Sequence, residues 1–288
     1  MKPAPFTYHA PTDLDEAVEL LSELGDDVKV LAGGQSLVPM LALRLTAFDH
    51  LVDVGRIDEL RGIRADGDAL WIGAMTTQAS VERSSIAAGA VPLLSRATPL
   101  IGHFQIRNRG TVGGSVAHAD PAAEYPAVAV TLDADLETIS VRGRRTIPAR
   151  DFFLGTWTTQ LADDELLVGI RFPVWAGRTG FAVEEMAQRH GDFALAGATV
   201  AIALEGQTIT RCSIGLFGLG STPLRAPVDG LVGARPADVA GKEIGDAAVA
   251  ALDGVPSDIH ASGEYRTRVG AVMVARAWAS AVEEAGRG

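Results

Sequence analysis

Two short glycine-rich segments hold the groups best suited to chemistry. The first, Ala32-Gly33-Gly34-Gln35-Ser36 with Leu37 behind it, leaves the apolar run Val28 to Leu31 as a turn leaves a strand. Paired glycines allow successive backbone N–H groups to face one anion, and Ser36 adds a hydroxyl donor. The second, Thr111-Val112-Gly113-Gly114-Ser115, offers the same chemistry behind Arg107 and Arg109. Together they are candidates for clamping the two ends of a pyrophosphate, with the arginines offsetting its charge. The competing reading is two unrelated tight turns beside a solvated basic patch. Neither segment has the GxGxxG pattern of a doubly wound dinucleotide fold or a Walker lysine, so neither that fold nor ATP hydrolysis is supported.

Other candidates are weaker. Asp120 precedes Pro121, a combination that suits a helix N-cap with proline at the first helical position. His118 is a conceivable proton carrier, but no local triad surrounds it and a structural role is the simpler reading. His50, His103, His190 and His260 are scattered, without the spacing of a mononuclear metal site. The single cysteine, Cys212, lies in an apolar stretch and reads as core packing. One cysteine makes neither an intrachain disulfide nor a cluster ligand set, so any iron-sulfur centre serving this chain belongs to another one.

The elements that must position these groups follow from periodicity. Leu14, Ala17, Val18, Leu21 and Leu24 recur at helical spacing after the acidic Thr12 to Glu16 start, and Gly25 stops that helix. Strands are expected at Val28 to Leu31 and His50 to Val54, with a short helix from Leu37 to Leu45 between them. Ala69 to Gly73 reads as a strand, Thr76 to Glu82 opens a capped helix, and Pro92 divides Ser84 to Ala97. From Ile101 to His118 neither helical nor strand period fits, which suggests a loop system shaped around a ligand. A helix from Pro121 to Thr131, a hairpin turning at Arg142-Gly143 and a strand from Glu165 to Phe172 complete this part.

After the turn-forming Pro173 to Gly177, three strands are expected at Gly180 to Gln188, Ala194 to Leu204 and Thr208 to Gly218. Their short connections favour an antiparallel meander with Ala196, Ala198, Val200, Ile202 and Leu204 on one face. Helices over Ala237 to Leu252 and Gly263 to Ala281 should cover it, the latter by a stripe of Tyr265, Val269, Val272, Met273 and Ala277. The class is therefore α+β, with units at 1–55, 56–176 and 177–288. With 47% hydrophobic residues the chain has material for a large core. Its 36 acidic against 25 basic residues give a net charge of -11, which argues against nucleic acid as the main partner. No apolar run is long enough for a membrane span and Met1 to Ala10 is no leader, so a cytoplasmic protein is expected.

Ala32 to Leu37 together with Arg107 to Pro121 resembles the paired FAD motifs of a known family, the medium subunits of molybdenum hydroxylases of the aerobic carbon monoxide dehydrogenase and xanthine dehydrogenase type. The resemblance covers nearly the whole chain. It includes an early proline before a helix, the Arg189-His190-Gly191-Asp192-Phe193-Ala194 run and Tyr265-Arg266 ahead of the last helix. It implies a vanillyl-alcohol-oxidase-type (PCMH-like) FAD-binding fold of two α/β subdomains, plus a C-terminal domain with a three-stranded antiparallel sheet packed against helices.

By that resemblance Ala32, Gly33, Gly34, Gln35, Ser36 and Leu37, with Thr111, Gly113, Gly114 and Ser115, hold the FAD pyrophosphate. Ala119 and Asp120 serve the ribityl or adenosine side. Ile101 and Gly102, and the loop carrying Asp192 and Phe193, lie nearer the flavin, where the loop shields the ring or opens access to it. No catalytic acid or base and no metal ligand is implied. Hydroxylation then takes place on a large molybdopterin-binding subunit, and electrons arrive through two [2Fe-2S] clusters of a small subunit, in a dimer of heterotrimers. The substrate and the acceptor, whether NAD, oxygen, a quinone or another carrier, stay open. Two other readings remain: a self-contained FAD-dependent oxidoreductase, and a noncatalytic scaffold whose two glycine segments do not converge.

Overall fold

The structure, a computed structural model, describes residues 2–250 and 252–287. It opens with β1 (Thr7–His9) and α1 (Leu14–Leu24), whose Leu14, Ala17, Val18 and Leu21 form one buried face. Asp13 caps α1 by accepting the Glu16 N–H, and Gly25 ends it at φ 63°. β2 (Val28–Leu31), α2 (Leu37–Ala42) and β3 (His50–Asp53) follow. The three strands pair in parallel in the order β1-β3-β2. α2 ends before the expected Leu45 because Leu43 caps it and Arg44, at φ 57°, turns the chain away.

A five-stranded antiparallel sheet comes next. β4 (Ile63–Asp66) and β5 (Ala69–Gly73) lead into α3 (Gln78–Glu82), capped by Thr77. α4 (Ser85–Ala90) and α5 (Pro92–Ala97) are divided at Pro92 as expected. The loop expected from Ile101 to His118 is corrected to two short helices, α6 (Phe104–Arg107) and α7 (Val112–His118). Each is too brief to show a period; Thr111 caps α7 by accepting the Gly114 N–H. α8 begins later than expected, at Glu124 (Glu124–Thr131), and is buried throughout. Asp120 is not its N-cap: the carboxylate closes a local turn by accepting the Ala122 N–H at 2.9 Å. The proline in the first turn of α8 is Pro126, not Pro121.

β6 (Asp135–Ser140), β7 (Gly143–Pro148), α9 (Ala149–Phe152), β8 (Phe153–Gly155), β9 (Thr158–Thr159) and β10 (Leu166–Pro173) complete this part. The sheet runs β4-β5-β10-β6-β7. Leu166 and Val168 of β10 share a core with Leu14, Ala17 and Leu21 of α1, so the first two sheets are joined through apolar contact.

β11 (Arg178–Met186), β12 (Ala196–Glu205) and β13 (Thr208–Phe217) form the expected meander, to which a two-residue β14 (Leu224–Arg225) adds a fourth strand. α10 (Gly241–Ala250) and α11 (Gly263–Arg287) cover one face. Ala196, Ala198, Val200 and Ile202 pack there with Met273, Val274, Ala277 and Trp278. The expected α11 stripe holds at Met273 and Ala277, with Val269 packed on the same core, and is corrected at Tyr265 and Val272, which are exposed; Arg266, Gly270 and Val274 complete the buried line. α11 lies so close to the sheet that a Cβ at Gly180 would collide with the Ala281 carbonyl. The other face rests on α8, where the Thr131 and Thr199 hydroxyls meet at 2.6 Å. Cys212 is buried on the face covered by α10 and α11, as expected.

Candidate cofactor site

The two glycine segments meet. Gly33 is buried against the backbone of Arg109 and Gly110, where a Cβ would collide with the Arg109 carbonyl oxygen and sit 2.9 Å from Gly110 Cα. A Cβ on Gly114 would lie 3.2 Å from Ala32 Cβ. The first segment is shaped as an open turn. Gly34 takes φ 76°, which a side chain rarely tolerates, and the Gln35 amide donates back to Gly33 O at 3.2 Å. Gly34 O and Ser36 O accept from Val38 and Met40, whereas the N–H groups of Gly34, Gln35, Ser36 and Leu37 bond to nothing else among the described residues. These are open N–H groups at the start of α2, half-buried and free of acceptors among the described residues, the arrangement that suits an anion.

The second segment is closed by its own fold. Val112 N–H donates to Thr76 O at 3.0 Å and Gly113 N–H to Ala74 O at 2.8 Å. Gly114 N–H donates to Thr111 Oγ1 at 3.0 Å, and Ser115 N–H to Thr111 O at 3.1 Å. Gly113 is pressed onto the Ala74 backbone, with room for no side chain. What this segment offers outward is the Thr111 hydroxyl proton, the Ser115 side chain and the positive end of α7.

Arg107 is not free to neutralise a phosphate, contrary to expectation. It is buried, pairs with both Glu82 oxygens at 2.9 and 3.0 Å, and donates to Ile101 O and Gly102 O at 3.1 Å. A planar fork held on both sides fixes the Ile101-Gly102 turn, with Gly102 at φ 51°. Gly191, at φ 85°, lies against that turn: its Cβ would be 3.0 Å from Gly102 O and from the His103 ring. The Asp192-Phe193 loop is thereby anchored beside Ile101 and Gly102, with Phe193 67% exposed.

α7 ends at Ala119, a buried residue at φ 53°, whose carbonyl accepts from Trp157 N–H at 3.1 Å. Trp157 is itself left-handed at φ 56°, stands mostly exposed, stacks near His118 and points its indole N–H at Asp120 Oδ2 at 3.4 Å. Two bonded residues in this sparsely occupied region mark a strained turn of the kind kept at binding sites. Nothing in the sequence around Trp157 signalled it. Burial holds the His118 imidazole below its ordinary pKa, against the pull of Asp120. Burial, with the Glu185 charge adding to it, pushes the Glu124 carboxyl up to about 8; burial takes Glu185 to about 7.

Asp120 and Trp157 face Asp192 and Phe193 across a cavity of about 710 Å³ that continues to Asp258 and Arg266. Thus the segments at 32–37, 101–102, 111–120 and 191–193 form one chain of contacts, amides and hydroxyls at one end and an aromatic-walled cavity at the other. Such a donor set fits an elongated ligand with a diphosphate and a planar ring.

Fold and site define a flavoprotein with an FAD-binding fold of the PCMH type and a C-terminal flavoprotein domain. Residues 4–175 match the family described as the FAD binding domain in molybdopterin dehydrogenase, and residues 181–281 match the CO dehydrogenase flavoprotein C-terminal domain. The chain is 41% identical over 279 residues to the carbon monoxide dehydrogenase medium chain of Hydrogenophaga pseudoflava, spanning 96% of this chain and 97% of that one. The structure of carbon monoxide dehydrogenase from that organism superposes with a TM-score of 0.95, covering 99% of both chains. The caffeine dehydrogenase subunit beta of a Pseudomonas strain is 43% identical over 226 residues, 78% of this chain and 77% of that one.

The chain therefore belongs to the FAD-binding medium subunits of the molybdenum hydroxylases, and is an oxidoreductase subunit. In this family the molybdenum and iron-sulfur cofactors belong to other subunits. No helix among the described residues is long and apolar enough to cross a membrane.

Proposed function

We propose that this chain holds FAD across its two converging glycine segments and relays electrons within a cytoplasmic dimer of heterotrimers that includes a large molybdopterin-binding and a small [2Fe-2S] subunit. When bound, FAD supplies the redox centre that accepts electrons from the clusters and yields them to an external acceptor. The seat of Gly33 on the Arg109-Gly110 backbone is the observation that carries this reading, because it sets four open amides of the first segment beside the hydroxyls of the second.

In this assignment Gly34, Gln35, Ser36 and Leu37 donate to the pyrophosphate, with Ala32 and Gly33 shaping the turn. Thr111 and Ser115 donate from the second segment, while Gly113 and Gly114 allow its close packing. Ala119 and Asp120 serve the ribityl or adenosine side. Ile101, Gly102, Asp192 and Phe193 frame the ring and keep water from it. The division into units 1–55, 56–176 and 177–288 belongs to the same reading and is supported by the sheets, none of which shares a strand between units. Relatives named for carbon monoxide and for caffeine are about equally similar to this chain, which fits substrate choice residing on the large subunit.

The test is native purification with untagged partners, reading visible spectrum and subunit masses from one peak. FAD with iron-sulfur absorbance and two further chains is the expected result. A yellow, iron-free single chain turning over alone would instead identify a self-contained flavoenzyme.

A further inference from the structure

The Tyr265-Arg266 pair lies in the first turn of α11, where Arg266 closes the far end of the cavity and no role has been assigned to it. Tyr265 is exposed, but Arg266 is 5% exposed, a rare state for an arginine. One of its terminal nitrogens donates to Leu195 O at 2.7 Å and to Gly218 O at 3.3 Å; the other donates to Asp258 Oδ2 at 2.7 Å. Its Nε is buried without an acceptor among the described residues, while both terminal nitrogens are already engaged by acceptors of the chain.

All three partners line the 710 Å³ cavity, Leu195 and Gly218 side by side and Asp258 on a separate segment. Leu195 follows Phe193 by two residues. Gly218, at φ 72°, donates its own N–H to Pro121 O at 2.8 Å, next to Asp120. Asp258 organises an irregular segment by also accepting from His260 N–H at 2.8 Å and Ala261 N–H at 3.0 Å. That segment has no helix or strand of its own, and its Ile259 is 96% exposed. Arg266 supports this pairing in return, holding the Asp258 carboxyl down to about 2. A planar fork can bind two carbonyls and a carboxylate at fixed angles, which an ammonium cannot.

We propose that Arg266 is a positioning residue that sets the mouth of the flavin-side cavity, by tying the Asp258 segment, the Phe193 loop and the Gly218 turn to one guanidinium. It rests on the reading that FAD places its ring in this cavity, and it adds a determinant of how far small reagents reach that ring.

The holo complex carrying Arg266→Lys or Asp258→Ala tests it, by flavin content, thermal melting, and the rate at which added sulfite bleaches the visible flavin absorbance. The expected result in both variants is unchanged flavin content with bleaching faster by about threefold, as a segment released from its anchor opens locally. Parental bleaching rates at full flavin content would overturn it. Loss of flavin at unchanged melting would overturn it too, by making Arg266 a flavin-binding residue. If Arg266→Lys fails to fold, Asp258→Ala decides, because it removes a half-exposed partner and leaves both carbonyl contacts intact. A parent complex without flavin would sink the FAD assignment as well, which separates the two failures.

Discussion

Between Gly34 and Leu37 the backbone N–H groups bond to nothing else among the described residues, whereas from Val112 to Ser115 each is bonded to Ala74, Thr76 or Thr111. The two segments look alike as sequences, glycine pair and hydroxyl included. One holds donors in waiting for a ligand. The other uses its donors to fasten α7 onto the end of β5 and presents only side chains and a helix end. Similar composition thus serves binding in the first and assembly in the second, and their contact at Gly33 makes each depend on the other.

Gly33→Val should have the largest effect, since its side chain would drive into backbone that has no rotamer to yield. Overpacking of this kind costs about 1–3 kcal/mol, and FAD content should fall about tenfold as the segments part. Absorbance per chain and a melt would show it. Full FAD content in a folded variant would mean that convergence is irrelevant to binding.

The far ends differ as well: only the second segment leads into buried titratable groups. Glu124 ionises at about 8 when folded against 4.5 as its ordinary value. The unfolded chain therefore loses this proton first as pH rises, and stability contributed by the neutral acid declines between about 4.5 and 8. Glu124→Gln should raise the melting temperature at pH 8 by roughly 5 °C, on the order of a few kcal/mol, and do little at pH 4.5. Equal shifts at both pH values would locate the effect elsewhere. The His118 imidazole acts in the opposite sense. Its lowered folded pKa makes stability fall with acidification below about 6.5, and His118→Gln should flatten that limb of the melting curve.

A matched pair sharpens the contrast through melting, since Thr111 both caps α7 and is assigned a donor role whereas Ser36 caps nothing. Thr111→Val removes the α7 cap and should cost about 1 kcal/mol, a melting shift of roughly 2–4 °C. Ser36→Ala should leave melting unchanged and weaken FAD binding by about threefold, the worth of one weak hydrogen bond. If Ser36→Ala lowered melting as much as Thr111→Val, the distinction between a binding and an assembling segment would collapse.

Much of this was legible beforehand. Leu14 to Leu24, the β12-β13 hairpin and the break at Pro92 declare themselves through spacing of apolar residues and punctuation by glycine and proline, which are local properties. The glycine segments declared themselves by residue type. Arg107 and Trp157 did not: the first looked like a surface cation and proved to be a buried clamp on Ile101 and Gly102, and the second had no motif around it. The short helices α6 and α7 leave no period in the sequence, because four and seven residues span too few turns to repeat one.

By itself, then, the sequence determined the α+β class, most strand and helix positions and the family, since these rest on local periodicity and on motifs in order. Which amides remain open, which arginine is bound inward and which loops meet over the cavity were decided only by tertiary packing. The donors of Gly34 to Leu37 and of Val112 to Ser115 are chemically alike along the chain; Thr111 takes up those of Gly114 and Ser115 locally, and only the placement of the chain after β5 removes those of Val112 and Gly113 from use.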